Sequence, residues 1–542
     1  MKSLPVPCPT FAPSIEDRLQ SLLNNKHILV LGAGVMQLPI IWLAKRYGVQ
    51  VTLVDVNESA IAVGEADRFL HIDLKNYQAI ARQARVLSCQ HPLHGVCTIG
   101  TDFSPSVAFV AEQLALPGIP IASAAAARFK DRMRTAISRY GLPTPRFTAY
   151  AQQDADIPGW DFFPSVVKPV DSMGARGVSI VRNRHELSAA CHTALQDSCS
   201  GQVIIEEFIP GPEYSVDAVW IHGKLYPFGV AVRHIYFDPY RIELGHTFPA
   251  PVSPERYAAL MKAVEQASRA VGITWGAVKA DVFWDGSRAV IGEIAARLSG
   301  GFMSGWTYPL HSGVSAVLPL LLLTVGCTIP SDMITALTQP QCSRNVAERA
   351  IIGFPGVVQS IEGAAAAANR QEIELVWTGI SGGSKVPRLK DNVSKCGNVI
   401  AVSSNGPERV AAAARTAIES IHIAMEPGES EAIAFLTASQ PAAPLWFQID
   451  QRTHYAVEEY LYRLFSEPVC ISPLSVECAE SQTDWLGRTI VDHINICIEH
   501  DLLQWGSDEQ IETAAETAVL RALSRAGYAG VIYLFETFRP TS

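Results

Sequence analysis

The sequence predicts a multidomain protein that mixes α/β and α+β architecture. Length is the first reason: 542 residues is enough chain for roughly three to five domains. The second is a βαβ pattern near the start, where the apolar run HILVLGA (27 to 33) leads through a glycine turn into a helical stretch and then into VQVTLVDVN. The third is a series of β-prone runs joined by turn residues between 163 and 293, which read as hairpins.

Composition narrows the function classes. Apolar residues make up 48% and charged residues 18%, which describes a globular chain with ample core and not a disordered one. A net charge of −10 with no long basic run argues against nucleic acid as the main partner. Eleven cysteines carry no CxxC and no Cys/His metal spacing, as expected of reduced thiols in a cytoplasmic protein. The first residues, MKSLPVPCPTFAPSIEDRL, contain no apolar core of a secretory signal. The longest apolar run, Val314 to Val325, is broken by Ser315, Pro319 and Thr324; it is about half a bilayer span and reads as a buried helix, not a membrane one.

In chain order, the first βαβ unit invites a dinucleotide reading, with Gly32 and Gly34 under a pyrophosphate and Asp55 on a ribose. Gln37 stands where the third glycine belongs, so a purely structural strand-to-helix turn competes with it, and an NAD-dependent oxidoreductase is a distant alternative. GVCTIGTDF (95 to 103) reads as a later strand and loop, and RFKDRMRTAISRYG as a helix with Lys130 in its first turns. In FPSVVKPVDSMGARGVSIV (163 to 181), strand SVVKP places Lys168 beside a glycine-bearing loop, Asp171 to Gly177, that includes Ser172 and Gly174. Backbone amides of such a loop can cradle phosphate, with the lysine as a point charge; an ordinary hairpin with a chance lysine reads the same. VIIEEFIPGPEYSVDAVW (203 to 220) is strand, tight turn, strand, with Glu206, Glu207 and Glu213 about the turn. These carboxylates suit an exocyclic amine or ribose hydroxyls better than a triphosphate, and the backbone of Glu207 to Ile209 suits the edge of a base.

WGAVKADVFWDGSRAVIGEIAARLSGG (275 to 301) puts Asp281 on one strand and Glu293 on the next, across the hairpin signal Asp285-Gly286. Two such carboxylates can share a hard cation such as Mg²⁺, or can face solvent on a surface hairpin. Arg297 offers a planar fork for phosphate or an oxyanion, and Gly300-Gly301 lets backbone approach a ligand.

Lys130, VVKP with its glycine loop, EEFIPGPEYSVD, and Asp281 to EIAAR follow in the order and spacing of the ATP-grasp superfamily. The resemblance covers residues of roughly 27 to 425 and extends to the L-amino-acid ligase branch, where a Glu-Leu-Gly-His element follows an aromatic, Pro-containing loop, as in RHIYFDPYRIELGHTFPAPV (233 to 252). It implies a Rossmann-like pre-ATP-grasp domain at 1–125 and an ATP-grasp fold of two α+β subdomains at 126–330, with its lid at about 160–210. A mostly structural trailing subdomain at 331–429 and a small α+β appendage of unassigned role at 430–542 complete the chain. It further implies a carboxylate–amine ligase that uses ATP and Mg²⁺ or Mn²⁺, activates a carboxylate as an acyl phosphate, and takes small-molecule substrates, amino acids among them. Homodimers are common among related ligases, though no interface signature stands in this sequence.

Carried over by motif position, Lys130 and Lys168 would contact ATP, together with Ser172, Gly174 and Gly177 of the loop. Glu206 would take the adenine amine, Phe208 and Ile209 the base edge, and Glu213 the ribose. Asp281 and Glu293 would hold the metal; Arg297 would stabilise the acyl phosphate. Glu243 would bind a substrate ammonium, His246 would sit near the acyl phosphate, and Gly300 and Gly301 would leave pocket room. Arg233 and His234 are looser pocket candidates, with Met303, Trp306 and Tyr308 as walls or as core. One departure stands out: Ala295 replaces the asparagine many members carry two residues after the metal-binding glutamate. Bicarbonate activation on the same fold is the chief alternative, although Glu243 and His246 argue against it; a non-catalytic nucleotide-binding module is another.

Overall fold

A computed structural model describes residues 7, 9–151, 159–438, 446, 465, 468–476, 479–506 and 513–538. The first unit is a four-stranded parallel sheet in the order Arg68–His71, Gln50–Asp55, His27–Leu31, Gly95–Cys97. The His27–Leu31 strand is buried along its whole length, as a central parallel strand must be when helices cover both faces. Helices Leu38–Arg46 and Tyr77–Gln90 follow the strands, the second capped by Asn76.

Residues 147–207 form a second, four-stranded sheet in the order Phe147–Ala151, Gln202–Glu207, Ser165–Pro169, Ser179–Val181, backed by helix Arg184–Gln196. Phe147–Ala151 pairs along Gln202–Glu207, so this sheet, which contains the expected lid, begins before residue 160.

The third body is an eight-stranded sheet. Its order is Ala289–Ala295, Gly276–Trp284, Glu213–Ile221, Lys224–Tyr236, Ile242–Phe248, Asn345–Ile351, Gly397–Ser403, Ile373–Thr378. Pairing between Ile242–Phe248 and Asn345–Ile351 carries the sheet across residue 330, so the trailing subdomain is an extension of the same sheet. Helix Val317–Thr324 packs behind it with every residue buried. No helix among the described residues is long and apolar enough to cross a membrane.

The appendage shares its core with the trailing strands: Ile242, Ala350 and Val399 pack in one cluster with Ile490, Leu523 and Phe535. EPGESEA, which reads as a polar linker, instead starts a helix, Ser430–Thr437, with Glu429 accepting from the Ala432 amide. The run VIYLF, which reads as a strand, is helical within Ala514–Phe538, kinked at Gly527. Its residues are buried on nearly all sides, and burial without a face erases the periodicity that tells strand from helix. The run WFQIDQRTHYAVEEYLYRLF (446 to 465), which reads as a strand and a helix, falls mainly outside the described residues.

Candidate active site

A cavity of ≈ 540 Å³ lies where the first unit, the lid, the large sheet and the trailing strands meet. Lys130, Lys168, Ser172, Gly174, Glu206, Phe208, Ile209, Glu213, Glu243, Asp281, Glu293, Arg297, Gly300 and Gly301 all line it. A larger cavity of ≈ 810 Å³ at the Ile221–Tyr226 hairpin has none of these groups.

The metal-type pair is built by strand register. Asp281 and Glu293 are direct partners across the antiparallel strands Gly276–Trp284 and Ala289–Ala295, so their side chains leave the same face. Asp281 Oδ1 is buried with no hydrogen-bond partner among the described residues. Two carboxylates, one with a free oxygen, make an oxygen-only donor set that fits a hard divalent cation. Among the described residues no group of three or more His, Cys, Asp or Glu converges to hold a metal. Burial alone would raise the Glu293 carboxyl, but Lys279, Lys130, Arg297 and Lys168 hold it well below the usual carboxylate range.

The lid loop faces this pair. Gly174, Ala175 and Gly177 adopt left-handed φ values of +67°, +62° and +66°. No hydrogen bond engages the N–H groups of Met173, Gly174 or Ala175 among the described residues, and all three residues line the cavity. Asp171 ties the loop base by accepting from the Ser200 amide at 2.8 Å. Lys130 Nζ donates to the Ser172 carbonyl at 2.6 Å and lies 4.0 Å from Glu293. Gly177 is not in the wall; a Cβ there would meet Pro169 and Asp197, so its role is the turn.

Glu206 is already engaged. Its Oε1 accepts from Arg134 Nε at 2.7 Å, and its Oε2 lies 2.7 Å from Lys168 Nζ. Burial would raise this carboxyl, yet Arg134 and Lys168 bring it down to about 2. It therefore orients Lys168 and has limited capacity left for an adenine amine. Arg134, fully buried, also donates to the carbonyls of Ile291 and Gly292, which locks the helix Lys130–Arg139 to the strand that carries Glu293. Nothing in the sequence pattern singled Arg134 out.

At the other end, one guanidinium serves three carboxylates. Arg233 pairs with Glu213, with Glu243 at 2.7 Å and with Asp281 at 2.9 Å. Glu243 is held at about 2 against its burial, chiefly by Arg233. Glu213 is pushed up by burial and by the neighbouring charges of Asp281 and Glu243, which outweigh Arg233. Glu243 Oε1 remains buried without a partner among the described residues.

Two expectations need correction. His246 is fully buried and absent from the cavity wall. Its Nε2 bonds the Thr307 hydroxyl at 2.9 Å and its Nδ1 lies 3.2 Å from Glu348, because register aligns it with Arg233 on one side and Glu348 on the other. It supports the strand behind the site and is absent from the cavity wall. His234 likewise bonds Thr247 at 2.8 Å, while Trp306 and Tyr308 are core residues and only Met303 of that trio faces the cavity. Second, the trailing strands are more than structural: Trp377, Asn392, Lys395 and Asn398 line the cavity, Asn392 N donates to the Gly174 carbonyl at 2.9 Å, and Lys395 Nζ donates to the Glu243 carbonyl at 3.1 Å. Lys385, by contrast, pairs with Glu431 at the surface.

The first unit also contributes. Arg297 donates to Asp102 Oδ1 at 3.1 and 3.3 Å. A Cβ on Gly100 would sit 3.0 Å from the Gly300 Cα, so the glycine pair at 300–301 accommodates protein backbone as well as cavity. The dinucleotide turn is filled by its own side chains: Asp55 accepts from the Ala33 amide at 2.8 Å, and Gln37 accepts from the Ile99 amide at 3.0 Å and sits under Gly32.

Comparison with known proteins agrees with this geometry. The model of an ATP-grasp domain matches residues 161–305. The chain carries an ATP-grasp domain. An ATP-grasp N-terminal domain model matches 43–118, and the L-amino acid ligase C-terminal domain 2 matches 350–426. The chain is 25% identical over 332 residues to carnosine synthase 1 of Gallus gallus, covering 56% of this chain and 36% of that protein. It is 33% identical over 176 residues to the D-alanine–D-alanine ligase of Ectopseudomonas mendocina, covering 31% of this chain and 55% of that one. Its fold matches the crystal structure of an L-amino acid ligase from Bacillus licheniformis with a TM-score of 0.65 at 24% identity, over 74% of this chain and 99% of that one.

Proposed function

We propose that the chain is an ATP-dependent ligase that joins a carboxylate to an amine through an acyl phosphate, with an amino acid as one substrate. One observation carries this reading: in a single cavity, Lys130 and Lys168 beside an open glycine loop face the Asp281–Glu293 pair and Arg297. The relatives, ligases and synthases by name, support it.

Lys130, Lys168 and the free amides of Met173 to Ala175 hold the triphosphate, while Phe208 and Ile209 flank the base. Asp281 and Glu293 would hold Mg²⁺, which would supply positive charge to the phosphate oxygens. A substrate carboxylate oxygen attacks the γ-phosphorus and ADP leaves. The amine then attacks the acyl carbon, the C–O bond to phosphate breaks, and Arg297 stabilises the anionic oxygens. With His246 behind the wall, the departing phosphate is the base that takes the amine proton. The free Oε1 of Glu243 is placed to accept a substrate ammonium, which favours an amino acid over bicarbonate.

The test is phosphate release from ATP and Mg²⁺ against amino acids, singly and in pairs, with the native chain and Glu293→Ala. Release that needs a particular pair and vanishes in the variant supports the ligase and names its substrates. Release driven by bicarbonate alone, or none with any mixture, overturns it.

A further inference from the structure

The appendage lies beyond the three domain matches, which end at residue 426. Its contacts reach the cavity all the same, through the loop 237–241 between strands Lys224–Tyr236 and Ile242–Phe248. Phe237 and Arg241 take left-handed φ values of +65° and +56° there, a region disfavoured for residues that carry a Cβ. Such a conformation persists only where the surroundings hold it. From within, the Tyr240 and Arg241 amides both donate to the Phe237 carbonyl, at 2.9 and 3.1 Å. From outside, Tyr236, Phe237 and Tyr240 pack on the core that the appendage shares with the trailing strands. The Phe237 ring meets Trp485 of the appendage edge to face, with 6.5 Å between centroids.

Trp485 is a fixed support. It is buried, and its Nε1 donates to the Ala350 carbonyl of the large sheet at 3.2 Å. The turn that presents it is organised by the buried Asp484 carboxylate. Oδ1 accepts from the Leu486 and Arg488 amides at 2.8 and 2.9 Å, and Oδ2 from Arg488 Nε at 2.7 Å. His493 Nε2 lies 3.1 Å from the same Oδ2, while the Tyr528 amide donates to His493 Nδ1 at 3.0 Å. A nitrogen that accepts carries no proton, so the ring proton is on Nε2 and is donated to Asp484.

The loop in turn has two outputs. The Pro239 carbonyl accepts from the Ile180 amide at 3.2 Å, and Ile180 stands in Ser179–Val181, the edge strand of the lid sheet. The Arg182–Asp238 pair beside it, at 3.2 Å, is exposed on both sides and adds little. The second output is Arg241, which lines the cavity with its guanidinium 5.6 Å from the centre of the Phe208 ring.

We propose that the appendage is a brace for the site: Trp485 holds the 237–241 loop in place, and the loop holds the edge strand of the lid and the Arg241 guanidinium at the cavity. Trp485 is absent from the cavity wall, so it is a positioning residue. The latch on the lid stands by itself, whereas its effect on a nucleotide rests on the ATP-dependent reading above.

The experiment compares the full native chain with Trp485→Ala, Trp485→Phe and Phe237→Ala. Hydrogen exchange is followed by mass spectrometry on the peptide that carries Ile180, and affinity by calorimetry with a non-hydrolysable ATP analogue and Mg²⁺. In both alanine variants the Ile180 peptide is expected to exchange about tenfold faster, while helix Ala514–Phe538 keeps its protection. A loop in place for about a tenth of the time weakens the analogue about tenfold. Trp485→Phe keeps an aromatic ring against Phe237 and is expected to behave as the native chain. Phe237→Ala alters no residue of the appendage, so it decides the matter if Trp485→Ala does not fold. Unchanged Ile180 exchange in the alanine variants overturns the brace and leaves the ligase reading standing. Faster exchange with unchanged analogue affinity overturns the link to the nucleotide. No analogue binding by the native chain overturns the ATP-dependent reading, and the exchange result alone then upholds or overturns the brace.

Discussion

Two glycine-bearing turns in this chain look alike in sequence and differ in what they can bind. In the first, Gly32 to Gly34, two of the three amides are taken, Gly32 by the Val54 carbonyl and Ala33 by Asp55, and Gln37 fills the space beneath. In the second, Met173 to Ala175, the amides have no partner among the described residues, and Lys130 and Lys168 line the same cavity. A glycine turn is a phosphate site only where its amides are not already spent on the protein. Asp55 and the Asp281–Glu293 pair repeat the contrast: the former closes its own turn, whereas the latter keeps one oxygen free inside a cavity.

Substitutions can break or sharpen that contrast, and the largest effect is expected at Glu206. Glu206→Ala leaves Arg134 buried without its carboxylate and frees Lys168. Breaking a buried pair of this kind costs about 3–5 kcal/mol, so the midpoint of urea unfolding should fall sharply and nucleotide affinity with it. If stability is unchanged, Glu206 does not brace the open loop.

Next comes Glu293→Ala, expected to lower ATP-dependent phosphate release by about 10²–10³ with little loss of stability, the usual cost of one transition-state electrostatic contact. Equal kinetics for Glu293→Ala and the native chain would place the chemistry elsewhere.

A smaller effect is expected at Asp217, whose side chain accepts from the Ser299 amide at 2.9 Å beneath the Gly300–Gly301 turn. Burial pushes its carboxyl up to about 7. The unfolded chain releases this proton near pH 4, but the folded chain keeps it to about pH 7. Folding stability should therefore decline as pH rises through that window and level off above it. Asp217→Asn should remove the slope, as read by unfolding at several pH values. A slope that persists assigns it to another group.

The smallest effect belongs to the closed turn. Asp55→Ala removes two acceptor bonds, to the Ala33 and Asn57 amides, and should cost about 1–2 kcal/mol with ATP dependence unaltered. A selective loss of nucleotide binding would mean that the first turn is a ligand site after all.

Much of the candidate site was legible before any coordinates. Asp281 and Glu293 could be placed on facing strands from the turn signal between them, and the structure makes them register partners. Lys168, Ser172 and Gly174 were found from a strand ending in a glycine loop, and they do line the cavity. Arg134, Lys279, Asp102 and Asn392 were not found. Each acts through a partner between 2 and 218 positions away, as with Lys279 on Asp281 and Asn392 on Gly174, and side chains of this type are common enough that no local pattern marks them. His246 shows the converse: it stands in a Glu-x-x-His element that invites a substrate role, and its ring bonds Thr307 and lies beside Glu348 in the core.

The sequence by itself determined the βαβ unit, the hairpins and the order of the charged motifs. These depend on local periodicity and on turn chemistry, which neighbours in the chain decide. The tertiary structure decided which carboxylates remain free, which glycine turn stays open, and that the trailing strands extend the large sheet to join the cavity wall. Those outcomes rest on contacts between residues far apart in the chain, where the occupancy of each donor and acceptor is known only once every partner has its place.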